Sequence, residues 1–270
     1  QGFEVDFAPV DNKGFVDIEA LADLIRPDTT LVSIMAVNNE IGSIQPIEAI
    51  SKLLADKPTI SFHVDAVQAL AKIPTEKYLT ERVDFATFSS HKFHGVRGVG
   101  FVYIKSGKRI TPLLTGGGQE RDYRSTTENV AGIAATAKAL RLSMEKLDIF
   151  RTKTGQMKAV IRQALLDYPD IFVFSDEEDF APHILTFGIK GVRGEVIVHA
   201  FEDYDIFIST TSACSSKAGK PAGTLIAMGV DKDKAQSAVR LSLDLENDMS
   251  QVEQFLTKLK LIYNQTRKVR

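Results

Sequence analysis

The feature that most restricts the fold is an alternation of apolar strand-like runs with helical ones over the first hundred or so residues. "EVDFAPV" reads as a strand closed by the turn "DNKG", and "DIEALADLI" reads as a helix with Asp17 as its N-cap. "LVSIMAV" is a continuous apolar run and predicts a buried strand. "PIEAISKLLADK" predicts a helix with Pro46 in its first turn. "ISFHVDA", "DFATFSS" and "GVGFVYI" predict further strands. Strand–helix alternation of this kind predicts a mainly parallel α/β sheet with helices on both faces. Ligands of such sheets bind at the C-terminal ends of the strands. Three of the predicted strands end in polar residues: Asn38-Asn39-Glu40, Asp65, and Ser89-Ser90-His91-Lys92.

The pattern then changes. A glycine-rich loop, "LLTGGGQERDYRSTTENV", leads into a long predicted helix, "ENVAGIAATAKALRLSMEKL", and a second helix follows near residues 150–167. Shorter strands come next ("IFVFS", "HILTFGI", "IFIST", "AVRLSL"), mixed with helices, and an amphipathic helix starts at about Gln251. The expected division is a large domain over 1–148 and a smaller α+β domain over 149–270, with the long helix bridging them.

Composition narrows the function classes. With 33 Lys and Arg against 35 Asp and Glu, the net charge is -2, and no basic surplus points to nucleic acid. The apolar runs are too short to span a bilayer, so no membrane role is expected. The single cysteine, Cys214, leaves no disulfide framework and no multi-cysteine metal site, and it fits a reducing, cytoplasmic compartment. The chain opens at "QGFEVDFAPV" without a Met, from which a missing N-terminal segment is expected.

Lys92 stands at a strand end beside Ser89, Ser90 and His91, whose donors suit a phosphate. Asp65 stands at the end of another predicted strand. An amine that can form a Schiff base, a phosphate site and a carboxylate for a pyridinium nitrogen are what a pyridoxal 5'-phosphate (PLP) site requires. Gln68 or Asn39 could serve the phenolic oxygen of the ring. Cys214 lies in "ISTTSACSSKAGKPAGTL", among small and hydroxylic residues, where Lys217 and a helix after Pro221 would favour its thiolate.

The segments "AVNNEIGSIQPI", "HVDAVQA", "SSHKFHGVRGVGFVYI", "GGGQERDYRSTTENV" and "STTSACSS" occur in the order of the motifs of the NifS/IscS-like cysteine desulfurases, a branch of the class V aminotransferases. The chain resembles that family from its first residues to at least Leu243. The resemblance implies the PLP-dependent transferase fold of type I, with a large parallel-sheet domain and a small C-terminal domain. It implies that Lys92 forms the Schiff base, Asp65 holds the pyridinium, Gln68 and Asn39 meet the phenolic oxygen, and Ser89 and His91 bind the phosphate. Thr127 is similar to a residue that reaches the phosphate of a partner subunit, which implies a homodimer. Arg240 matches the arginine that clamps the carboxylate of L-cysteine, and Cys214 matches the cysteine that becomes a persulfide. Implied partners are a sulfur-acceptor protein, either an iron–sulfur scaffold or a tRNA-thiolation enzyme. Rival expectations are a selenocysteine lyase or aminotransferase on the same fold, or a silent fragment that only docks sulfur-transfer partners. The chain departs from the family pattern at Thr126 and Thr211, where glycines are usual, and in lacking a Gly-Ala-Thr phosphate loop and a ring-stacking histidine.

Overall fold

The computed structural model describes residues 2–211 and 223–268. In chain order the elements are α1 (Ile18–Leu24), β1 (Leu31–Met35), α2 (Ile47–Leu53), β2 (Ser61–Asp65), β3 (Phe85–Ser89), β4 (Gly100–Ile104), α3 (Val130–Glu145), α4 (Leu147–Leu166), β5 (Ile171–Val173), β6 (Ile184–Ile189), α5 (Gly194–Glu202), β7 (Ser209–Thr210), α6 (Gly223–Ala227), α7 (Lys232–Gln236), β8 (Ala238–Ser242) and α8 (Met249–Lys268). A short 3₁₀ turn, Ser90–Phe93, follows β3. No described helix is long and apolar enough to cross a membrane. The chain forms two compact units: one of residues 27–36 and 47–147, the other of 1–26, 37–46 and 148–270.

The first unit is built on a four-stranded sheet in the order β1-β2-β3-β4. β1, β2 and β3 run parallel and β4 closes the sheet antiparallel to β3. Period-two alternation sends Phe62, Val64, Ala86 and Phe88 to a buried face. There Phe88 stacks on Phe101 at 4.6 Å and meets Tyr78 edge-on. The opposite face, with Ser61, His63, Asp65, Thr87 and Ser89, is only half-buried. The N-terminal end of the sheet is locked by Asp84, whose carboxylate accepts from the Phe62 N–H at 2.9 Å and pairs with Arg82 at 2.8 Å and Lys108 at 3.2 Å. α3, capped by Asn129 through the Gly132 N–H, lies wholly within this unit.

The second unit carries an antiparallel sheet in the order β5-β6-β8-β7. Every residue of the central strand β6 is buried. Met157, Ile161 and Leu165 of α4, Ile197 and Phe201 of α5, and Val252, Phe255 and Leu259 of α8 share one core with Leu185, Phe187, Val239 and Leu241 of the sheet. Phe201 and Phe255 stack at 4.9 Å within it. α1 begins where expected, with Asp17 accepting from the Ala20 N–H.

Several expectations are corrected. "EVDFAPV" is not a strand: only Val10 bridges, to Val16, and an apolar alternation without a neighbouring backbone to pair has no ladder to join. β1 is not buried throughout, because it is an edge strand with Leu31, Ser33 and Met35 exposed and only Val32 fully covered. Asn38-Asn39-Glu40 do not end that strand, which stops at Met35. "IFIST" contributes only the two-residue β7.

Candidate active site

The C-terminal end of the parallel strands is built by register. Met35, Asp65 and Thr87 are aligned across β1, β2 and β3. The Oγ of Ser33 and Nδ1 of His63 are 2.7 Å apart, and Nε2 of His63 and Oγ1 of Thr87 are 3.1 Å apart. This polar row fixes one face of the sheet, and the two-residue period then places Asp65 and Ser89 on that face. Burial pushes the His63 imidazole below its ordinary pKa, against the opposing charge of Asp65. The Asp65 carboxylate accepts from the Val67 N–H at 3.0 Å, an Asx-type turn that ends the strand and leads to Gln68, half-buried in the next turn. The Ala36 N–H donates to the Asp65 carbonyl at 2.8 Å and the Ala66 N–H to the Thr87 carbonyl at 3.1 Å, holding the strand end on both sides.

The turn after β3 explains how a lysine is kept at this end. At three residues per 3₁₀ turn, positions i and i+3 share a side, and here Ser90 and Phe93 are both buried while His91 is exposed and Lys92 half-buried. The Thr136 hydroxyl donates to the Gly132 carbonyl at 2.7 Å, so the 2.9 Å contact between Ser90 and Thr136 has Ser90 as donor. The Ser143 hydroxyl donates to the Phe93 carbonyl at 3.1 Å, and the Phe93 ring meets Phe101 edge-on. Gly95 is required because a Cβ there would stand 1.9 Å from the Ser90 hydroxyl oxygen. The turn is thus braced from behind, while the side chains of Lys92 and His91 have no hydrogen bond or ion pair among the described residues. Thr127 is exposed, two residues before the Asn129 cap of α3.

The other unit holds the remaining sequence-predicted residues. The Asn38 side-chain oxygen accepts from the N–H groups of Glu40 at 2.8 Å and Ile41 at 3.0 Å, closing a tight turn. Thr186 and Arg240 are paired across β6 and β8, and both reach this turn. The Thr186 hydroxyl donates to the Glu40 carbonyl at 2.5 Å, and Nη1 of Arg240 donates to the Asn39 carbonyl at 2.7 Å. Asn39 and Arg240 are therefore brought together, both half-buried. Cys214 lies outside the described residues. Ser33, His63 and Thr87 carry no role in the sequence reading, and Ser90, read there among the donors suited to a phosphate, is instead buried with its hydroxyl on Thr136. Each strand's period marks its polar face, but only the register between strands joins the three into a row.

Residues 1–255 match the family described as Aminotransferase class-V. The chain belongs to that family. It is 50% identical over 269 residues to the NifS/IcsS protein homolog of Lactobacillus delbrueckii subsp. bulgaricus, an alignment covering 99% of this chain and 70% of that protein. It is 37% identical over 272 residues to the cysteine desulfurase IscS of Clostridium botulinum, covering 100% of this chain and 68% of that one. Among solved structures, a NifS-like protein superposes with a TM-score of 0.88 at 38% identity, covering 97% of this chain and 69% of the other. These likenesses place the chain in the NifS/IscS-like branch of the class-V aminotransferases, with the α/β type I fold. PLP is the cofactor of this family. The donor set at the sheet end fits it: a carboxylate and an amine follow adjacent parallel strands, hydroxyl and imidazole groups flank the amine, and the amine carries no internal partner among the described residues.

Proposed function

We propose that this chain carries the catalytic residues of a PLP-dependent cysteine desulfurase, which converts L-cysteine to L-alanine and leaves sulfane sulfur on Cys214 as a persulfide. The observation that supports this most is the open sheet end, where Lys92 is braced from behind yet its side chain has no partner among the described residues. Bound there, PLP supplies the electron sink for the pair left at the substrate Cα. Lys92 would hold the cofactor covalently and then, as a free amine, take the Cα proton. Asp65 would keep a proton on the ring nitrogen, and Gln68 and Asn39 would donate toward the phenolic oxygen. Ser89 and His91 would bind the phosphate, with Thr127 supplied from a second copy, which makes the active form a homodimer. Arg240 would meet the substrate carboxylate through its planar fork. The Cys214 thiolate would then attack the substrate sulfur, forming the S–S bond as the Cβ–S bond breaks with its pair going to carbon. Protons returned to Cβ and Cα complete L-alanine, so one cysteine and one thiol give alanine and one persulfide, with no outside oxidant.

The sulfur would pass to an acceptor protein, an iron–sulfur scaffold or a tRNA-thiolation enzyme, in the cytoplasm. The division into a cofactor domain over 1–148 and a domain over 149–270 that carries the cysteine loop belongs to the same proposal. The test is Cys214→Ala in the holoprotein. Cysteine should still change the cofactor absorbance, while persulfide and sulfide release are abolished. Sulfide release at the wild-type rate would contradict the reading and favour a lyase.

A further inference from the structure

Glu40 has no part in the chemistry above, yet its half-buried carboxylate is held by a residue distant in the chain. Its Oε2 accepts from the N–H of Thr224 at 3.2 Å. The Thr224 hydroxyl accepts from the Asn38 amide at 3.1 Å, so both side-chain ends of the 38–41 turn meet the same residue of α6. Ile41, fully buried, packs in one apolar cluster with Leu225 and Met228. From the other side, Thr186 and Arg240 grip the carbonyls of Glu40 and Asn39. Burial lifts the Glu40 carboxyl above its ordinary pKa, while hydrogen bonds from Thr224 and the positive charge of Arg240 act against that rise. A carboxylate is an expensive group to bury unless its partners hold it in place.

We propose that Glu40 is a positioning residue: it ties Thr224 of α6, ten residues after Cys214 in the chain, to the turn whose carbonyl orients Arg240. The inference rests on the desulfurase reading for its consequence, but the tie itself involves only Glu40, Asn38 and Thr224. One short turn would then set both the direction of the substrate-carboxylate arginine and the placement of α6, the first described helix after Cys214 in the chain. The apolar anchor (Ile41 against Leu225 and Met228) gives the tie a floor, and the carboxylate gives it a direction. No spacing in the sequence announces this, because Glu40 and Thr224 are 184 positions apart.

The test uses the full-length holoprotein with Glu40→Ala, Glu40→Gln and Thr224→Val. Hydrogen exchange is read at the amides of residues 223–228, and single-turnover persulfide formation on Cys214 is read beside the cofactor absorbance. Glu40→Ala should speed exchange at the Thr224 amide by about tenfold or more, since a hydrogen bond to a charged group is lost. Persulfide formation should slow by about tenfold as well, with cofactor absorbance unchanged. Glu40→Gln, whose carbonyl can still accept from the Thr224 N–H, should recover most of both. Thr224→Val keeps the shape and the N–H, removes only the hydroxyl, and should give a smaller change in the same direction. Exchange at Thr224 unchanged in Glu40→Ala would overturn the proposal, as would faster exchange with persulfide formation at the wild-type rate. A Cys214→Ala control that still forms sulfide at the wild-type rate would instead overturn the desulfurase reading, leaving the exchange result to judge the tie.

Discussion

Asp84 and Asp65 lie at opposite ends of neighbouring strands in one sheet, and their surroundings differ in kind. Asp84 is 2% exposed, accepts from the Phe62 N–H and is flanked by Arg82 and Lys108. Burial alone would raise its pKa, but these hydrogen bonds and charges hold it below the ordinary value. Asp65 is half-buried and engages the Val67 N–H of its own turn. The lysines divide the same way. Lys158 is buried, with its amine donating to the Ala181 carbonyl at 3.0 Å, whereas Lys92 has no such partner among the described residues. Charges that serve the fold are neutralised inside it. In the proposed function, the charges left half-open on a braced backbone are the ones that meet the cofactor.

The comparison can be broken at its structural side first. Asp84→Asn should destabilise the protein by about 3–5 kcal/mol, because Arg82 and Lys108 lose a buried counter-charge. Chemical denaturation measures this. Since the folded-state pKa of Asp84 is lowered, its contribution is present above the ordinary value of 3.8 and is lost as the pH falls through the folded value. The gap between wild type and Asp84→Asn should therefore narrow in acid.

Lys158 gives the next largest effect. Burial pulls its pKa from 10.5 down to about 8. The unfolded chain therefore binds more protons between those values, and the stability of the wild type should rise relative to Lys158→Met as the pH passes through that window. At about 1.4 kcal/mol per unit, the full change is roughly 3 kcal/mol. A flat difference from pH 7 to 10.5 would show the amine to be solvated.

His63→Ala should cost about 1–2 kcal/mol by unlinking Ser33 from Thr87, and it should loosen cofactor binding at the strand end that it spans. Asp65→Asn should change stability by less than about 1 kcal/mol, yet it should bleach or shift the cofactor spectrum. Opposite ranking of Asp65 and Asp84 in stability would dissolve the distinction between the two ends.

Much of this was readable in the sequence. β2 and β3 announce themselves because apolar alternation stops at polar residues, and the strand-end rule then points to Asp65 and Lys92. "EVDFAPV" has the same alternation and forms no ladder, since pairing depends on a neighbour that a local pattern does not encode. The row Ser33–His63–Thr87 and the tie Glu40–Thr224 were hidden for a related reason: each is assembled by register or tertiary packing between distant segments. Ser90 was visible in "SSHKF", but its inward direction follows only from the three-residue period of the 3₁₀ turn.

The central claim, that the open sheet end is the cofactor end, is tested most directly by borohydride reduction of the holoprotein and mapping of the labelled peptide. The label should fall on Lys92, in the peptide containing "SSHKF". Lys158 is the informative competitor, because burial lowers its pKa to about 8 and it would take the label if a lowered pKa alone decided. A label on Lys158, or on any lysine other than Lys92, would contradict the account.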